Sequence, residues 1–179
     1  VARAAAMRGA DVTLIHGPTA LPPGKFTEDV PITTAQDMYE AVTSRFADMD
    51  ILVMAAAVAD YRPATVADDK IKKKDGALSI PVERTADILG TIGPRKTKQF
   101  LCGFSMETRD MVENSAAKLK KKNLDMVVAN NLKVSGAGFG VDTNVVTFIT
   151  PDGTRELPLM SKADVADAIL DEILKRRGH

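Results

Sequence analysis

ILVMAAAVADYRPATVADDKIKK, residues 51–73, is the stretch around which the rest of the chain is arranged. Its first four residues, ILVM, are apolar, β-branched in part, and preceded by Asp48 and Asp50. Such a run predicts a strand buried on both faces, in the middle of a parallel sheet. Three alanines and then Ala59 follow. Small side chains there let a ligand approach the backbone just past the strand's carboxyl end, where open α/β sheets place their sites. Asp60 and Tyr61 bring polar groups to the same edge, and Pro63 stops a helix from continuing. Residues 68–76, DDKIKKKDG, read as a mobile, cation-rich flap suited to an anionic ligand. Two plainer readings stand beside this one: alanines also permit tight helix packing, and a lysine run also makes a solvated face.

Moving outward, residues 1–8 predict a helix stopped by Gly9, and residues 11–16, DVTLIH, a strand. Residues 30–32 form a short strand. Thr33 or Thr34 caps a helix whose apolar face is Met38, Val42 and Phe46. Beyond the flap, residues 78–82, LSIPV, are expected to pair as an arm. Residues 87–92 form a short helix, and residues 100–104, FLCGF, a buried strand. A helix over residues 109–122 turns Met111, Ala116 and Leu119 inward and ends at Asn123. A strand over residues 126–129 follows. Residues 145–150 and 155–159 flank Pro151-Asp152-Gly153 as a hairpin. Ser161, with Asp164, caps a last helix carrying Val165, Ile169 and Ile173. The alternation predicts an α/β, Rossmann-like three-layer fold with a mainly parallel sheet, the lysine-rich flap and a late antiparallel hairpin.

Composition narrows the function. The 24 Lys and Arg balance 24 Asp and Glu, which argues against a general nucleic-acid binder. Cys102 is the single cysteine, so no intrachain disulfide forms, and its usage fits a reducing cytoplasm. The longest apolar run, residues 51–59, is shorter than the ~20 residues that span a bilayer, so no membrane partner is expected. With His16 and His179 scattered, a zinc site is not expected. Residues 136–140, GAGFG, imitate a dinucleotide fingerprint, but the strand NVVTFIT follows where a helix is required. The chain opens on Val1 in mid-helix, and an upstream segment is expected.

AAAVADYRP, KIKKK, TADIL, GFSMET and KLKKKNLDMVVAN, in that order and spacing, resemble bacterial phosphopantothenate–cysteine ligase over residues 1–175. This family, also called phosphopantothenoylcysteine synthetase, is usually the C-terminal half of a bifunctional coenzyme A biosynthesis protein. The resemblance implies CTP-dependent joining of 4′-phosphopantothenate to cysteine through an acyl-cytidylate, with Mg²⁺ accompanying the triphosphate. It implies a homodimer and a decarboxylase half fused upstream, the only half that binds FMN. Residues 1–179 are then one ligase domain whose first strand and Ser-Ser-Gly-Lys-Met-Gly neighbourhood lie upstream, together with an asparagine that holds the acyl intermediate. The chain alone is expected to bind CTP without ligating.

By the same resemblance, Lys70 is the catalytic lysine of KIKKK. A cation that meets two anionic reactants on flap closure stabilises charge building in the transition state. Met54, Ala55, Ala56, Asp60, Lys70, Ala86, Asp87, Ile88, Leu89, Phe104, Lys118 and Lys122 match the family's nucleotide contacts. Met54 departs from the smaller residue common there, and Thr85-Ala86 replaces an Asn-Pro pair. Asp87 also serves as a helix cap, and Phe104 as a core side chain or a stacking surface. Lys118 and Lys122 lie four apart on one helical face, able to hold outer phosphates or to be solvated. Two rival functions remain on sequence grounds. An NAD(P)-dependent Rossmann oxidoreductase needs a true glycine fingerprint. A non-catalytic nucleotide-binding module needs no reactive lysine.

Overall fold

The computed structural model describes residues 1–21, 24–72, 78–106, 110–131 and 140–178. From the amino terminus, α1 (Ala2–Met7) leads to β1 (Thr13–His16) and β2 (Glu28–Pro31), a parallel pair. α2 (Ala35–Arg45) precedes β3 (Ile51–Met54), and the short strands β4 (Tyr61–Pro63) and β5 (Val82–Arg84) form an antiparallel arm. α3 (Ile88–Ile92), β6 (Phe100–Met106), α4 (Met111–Lys121) and β7 (Met126–Asn130) continue the alternation. β8 (Thr143–Asn144), β9 (Val146–Thr150), β10 (Gly153–Glu156), β11 (Met160–Ser161) and α5 (Lys162–Arg177) follow. No helix among the described residues is long and apolar enough to cross a membrane.

Local chemistry sets the boundaries. Thr34 Oγ1 accepts from the Asp37 N–H at 3.0 Å, and the Asp37 carboxylate accepts from the Thr34 N–H at 2.8 Å. This is a reciprocal capping box with Asp in the place of Glu. Ser161 Oγ accepts from the Asp164 N–H at 3.1 Å and starts α5 in the same way. α1 gives way to Gly9 at φ +84°. α4 closes on Asn123 at φ +51°, a left-handed position that asparagine tolerates.

The main sheet has the order β10-β9-β7-β6-β3. β3, β6 and β7 run parallel, while β9 and β10 are the antiparallel addition. Among the described residues β3 pairs with β6, and all four of its residues are half-buried. The centre lies at β6 and β7, where Leu101, Cys102, Met126, Val127, Val128 and Ala129 are each 0% exposed. The arm differs from the one expected. Pairing uses Val82–Arg84 in the register Tyr61↔Arg84, so only the end of residues 78–82 takes part. Backbone bonds Thr85 N–H to Asp60 O at the arm's base and Ala64 N–H to Pro81 O at the far end of the ladder, both 3.0 Å, bracket that register. The flap is described only as far as Lys72. The remaining flap residues 73–76 and the glycine run at residues 136–139 lie outside the described residues.

Two cores make three layers. On one face Met38, Val42 and Phe46 of α2 and its 3-10 extension pack with Ile88, Leu89, Ile92 and Leu119 over Leu101 and Val127. On the other, Val165, Ile169 and Ile173 of α5 cover Cys102, Met126, Val128 and Phe148. Alternating side chains of β6 and β7 therefore feed opposite layers.

Candidate functional site

β3, β6 and β7 are parallel, so Met54, Met106 and Asn130 finish at one edge of the sheet. Just past β3, Ala55, Ala56 and Asp60 are exposed, while Met54 packs against the α2–α4 core. Thr85 ties the loop over residues 55–60 to the run that opens α3. Its N–H donates to Asp60 O at 3.0 Å, and its hydroxyl donates to Ala59 O. Sequence-matched Ala86 and Asp87 are thereby carried beside sequence-matched Asp60.

Asp87 caps α3 as expected, its Oδ1 accepting from the Gly90 N–H at 2.9 Å. The same oxygen accepts from Lys122 Nζ at 2.8 Å. Burial pushes the Asp87 carboxyl up, but the hydrogen bonds from Lys122 and the Gly90 N–H outweigh it and hold the group below the usual carboxylate range. Lys122 is the residue after α4, half-buried, with Lys118 one turn earlier and also half-buried. Ile88 and Leu89, in contrast, are buried in the α2–α4 core at 3% and 8% exposure. Their side chains hold α3 in place, which leaves only their backbone to face a ligand.

Two other matched residues stand apart. Phe104 shares the α5-side layer with Phe100 and Cys102, across the sheet from Asp87 and Lys122. Its ring is not placed over the Asp87–Lys122 pair. Lys70 is exposed and bonds to no described residue.

The structure adds residues that the sequence reading did not single out. Ser105 and Ser115 lie 2.7 Å apart, oxygen to oxygen, and both are buried. Asn144 Nδ2 donates to Asn130 Oδ1 at 2.7 Å, so the carboxyl ends of β6 and β7 are backed by polar pairs. Gln36, Arg62, Arg84, Thr85 and Ala86 line a hollow of about 300 Å³ beside the Asp60–Asp87 loop pair. Arg62 stood in the quoted ADYRP, but its partner across the arm depends on a register no local pattern reveals.

Residues 1–176 match the family described as DNA/pantothenate metabolism flavoprotein C-terminal domain. Among curated relatives, the coenzyme A biosynthesis bifunctional protein CoaBC of Bacillus subtilis is 49% identical over 175 residues, covering 97% of this chain and 43% of that protein. A cysteine/cysteine sulfinic acid decarboxylase of an unknown prokaryotic organism is 44% identical over 177 residues, covering 97% of this chain and 49% of that protein. The chain thus spans less than half the length of these curated relatives. The crystal structure of the C-terminal domain of a coenzyme A biosynthesis bifunctional protein CoaBC superposes with a TM-score of 0.81 at 43% identity, covering 98% of this chain and 80% of that one. The chain belongs to the DNA/pantothenate metabolism flavoprotein C-terminal domain family.

Proposed function

We propose that this chain is the phosphopantothenate–cysteine ligase unit of a coenzyme A biosynthesis protein. A carboxylate oxygen of 4′-phosphopantothenate attacks the α-phosphorus of CTP, and the bond to pyrophosphate breaks as the acyl-cytidylate forms. The amine of cysteine then attacks the acyl carbon. CMP leaves with the bonding pair, and the amine gives up a proton. The likeness to the CoaBC C-terminal domain supports this reading.

One observation carries it: residues 55–60 are tied to the run opening α3 by the Thr85–Asp60 bond, and the ammonium of Lys122 is tied to that same run through Asp87. Bare alanine backbone there admits a nucleotide, and Lys118 and Lys122 supply cations for its phosphates. Lys70, exposed and without a partner among the described residues, is the family-matched cation assigned to meet the reacting phosphate. Mg²⁺ enters as the counter-ion of the triphosphate substrate. Among the described residues, no group of three His, Cys, Asp or Glu side chains is placed to hold a metal ion. FMN belongs to the decarboxylase half. Tyr61, Ile71, Leu78, Ile80 and Val82 expose apolar surface around the arm, which a second copy would cover in a homodimer. The setting is the cytoplasm.

Calorimetric titration with CTP, ATP and NADH tests the reading, together with pyrophosphate release in the presence of 4′-phosphopantothenate. CTP should bind. Binding of NADH in its place, with none of CTP, makes the chain an oxidoreductase module. CTP binding without pyrophosphate release, in a protein carrying all upstream segments, makes it a non-catalytic nucleotide module.

A further inference from the structure

The hollow of about 300 Å³ lined by Gln36, Arg62, Arg84, Thr85 and Ala86 has two guanidinium groups on its wall and no carboxylate. It forms where the base of the arm meets the first turn of α2. Arg62 Nε donates to Glu83 Oε1 at 2.7 Å, which fixes the side chain and leaves its terminal N–H groups toward solvent and the hollow. Arg84 lies over the Tyr61 ring, 5.9 Å from its centroid. The Tyr61 hydroxyl is the first group that favours the charged Arg84 guanidinium, with Asp60 adding to it through space, and among the described residues no carboxylate forms an ion pair with Arg84.

Two cations around one concave space repel each other unless an anion or solvent stands between them. A guanidinium presents a planar fork of N–H donors that matches phosphate oxygens. Gln36, in the first turn of the eleven-residue α2, donates one amide N–H to Glu40 Oε1 at 2.8 Å, which leaves its second N–H as a neutral donor on the positive end of the helix. Ala86, on the same wall, leads directly to Asp87. The hollow therefore adjoins the nucleotide edge without coinciding with the Asp87–Lys122 pair.

We propose that Arg62 and Arg84 form a subsite for a terminal phosphate group, with Gln36 as an auxiliary donor. The proposal rests on the ligase reading, because both reactants of that reaction carry phosphate: the acid as a monoester, the nucleotide as a triphosphate. The subsite takes whichever of these reaches across Ala86, and its function is to orient that reactant.

The test titrates the wild-type chain, Arg84→Gln and Arg62→Gln/Arg84→Gln with 4′-phosphopantothenate, pantothenate, CTP and CMP. Circular dichroism reports the fold of each. Arg84→Gln leaves the Arg62–Glu83 bond intact, so it keeps the test valid if the double variant unfolds. Either variant should weaken one phosphorylated ligand about tenfold or more, and its counterpart lacking that phosphate less than twofold. A selective loss for 4′-phosphopantothenate assigns the subsite to the acid; a selective loss for CTP over CMP assigns it to the outer phosphates. Equal effects on both members of each pair, or no effect on any ligand, overturn the proposal. If the wild-type chain binds neither CTP nor 4′-phosphopantothenate, the ligase reading fails by itself, and pyrophosphate then serves as the probe. Arginine-dependent pyrophosphate binding supports the subsite, and arginine-independent or absent binding overturns it.

Discussion

The Asp87 carboxylate accepts from the Gly90 N–H at 2.9 Å and from Lys122 Nζ at 2.8 Å. It thus caps α3 and holds the cation that the phosphate of a nucleotide would compete for. Asp87→Asn separates the two roles, because asparagine caps a helix about as well as aspartate but carries no charge. The folded carboxyl sits below its ordinary range, so its contribution to stability is complete above the unfolded value of about 3.9 and disappears as pH falls through the folded one. Urea midpoints of wild type and Asp87→Asn should therefore differ at pH 6 and converge as pH falls below the ordinary carboxylate range. A gap that is constant with pH removes the charge from the explanation. Lys70 has no partner among the described residues. In a protein that turns over, Lys70→Ala should slow acyl-cytidylate formation by roughly a hundredfold or more while CTP affinity falls much less. Single-turnover pyrophosphate release reads this directly, and a near-normal rate excludes the role.

At the scale of elements, α3 and α4 are positioned by one close approach. A Cβ at Gly93 would collide with the backbone carbonyl oxygen of Lys122. Asn123 Nδ2 donates to Gly93 O at 2.9 Å across the same contact. The carboxyl end of α4, and with it Lys122, is thus registered against α3, and with it Asp87. Gly93→Ala should cost about 1–3 kcal/mol in urea unfolding, because backbone and not a flexible side chain must move. It should also weaken CTP, since the shift separates Lys122 from Asp87. Loss of stability with unchanged CTP affinity would show that the helix contact does not set the site. The sequence made the element ends readable, because caps are local chemistry: Thr34 with Asp37, Asp87 with Gly90, and Ser161 with Asp164 all act within three residues. Gly93 carried no such signal. Its partner lies thirty positions away in Asn123, and only the packed helices bring the two together. The side assignment of Phe104 was hidden for a related reason. The period of a strand tells which residues share a face, but not which helix covers it.

Across the whole molecule, stability is distributed by burial. Residues in β7 and β9 are nearly sealed: Val127, Val128 and Val146 at 0%, Phe148 at 1% and Ile149 at 2% exposure. Each of these strands pairs on both sides, and helices cover both faces. The arm is the opposite case, with every residue of β4 and β5 exposed. Strand order separates these regimes. Amide exchange compares the two regions with hydrogen bonding held equal. The N–H groups of Ala64 and Thr85 are bonded, at 3.0 Å each, as are those of the ladder between β7 and β9. If hydrogen bonds alone set protection, the two groups would exchange at similar rates. If burial sets it, opening the arm exposes almost no new apolar surface and costs little, whereas opening β7 requires both cores to part. Val127 and Val128 should therefore exchange only by global unfolding. Ala64 and Thr85 should exchange at least about a hundredfold faster, through local opening that denaturant barely accelerates. Saturating CTP should slow Thr85, which is tied to Asp60 at the proposed nucleotide edge, more than Ala64, which lies at the far end of the arm's ladder. Equal protection of the arm and β7 in the free chain would mean that the arm is covered in solution, and sedimentation would then show a dimer.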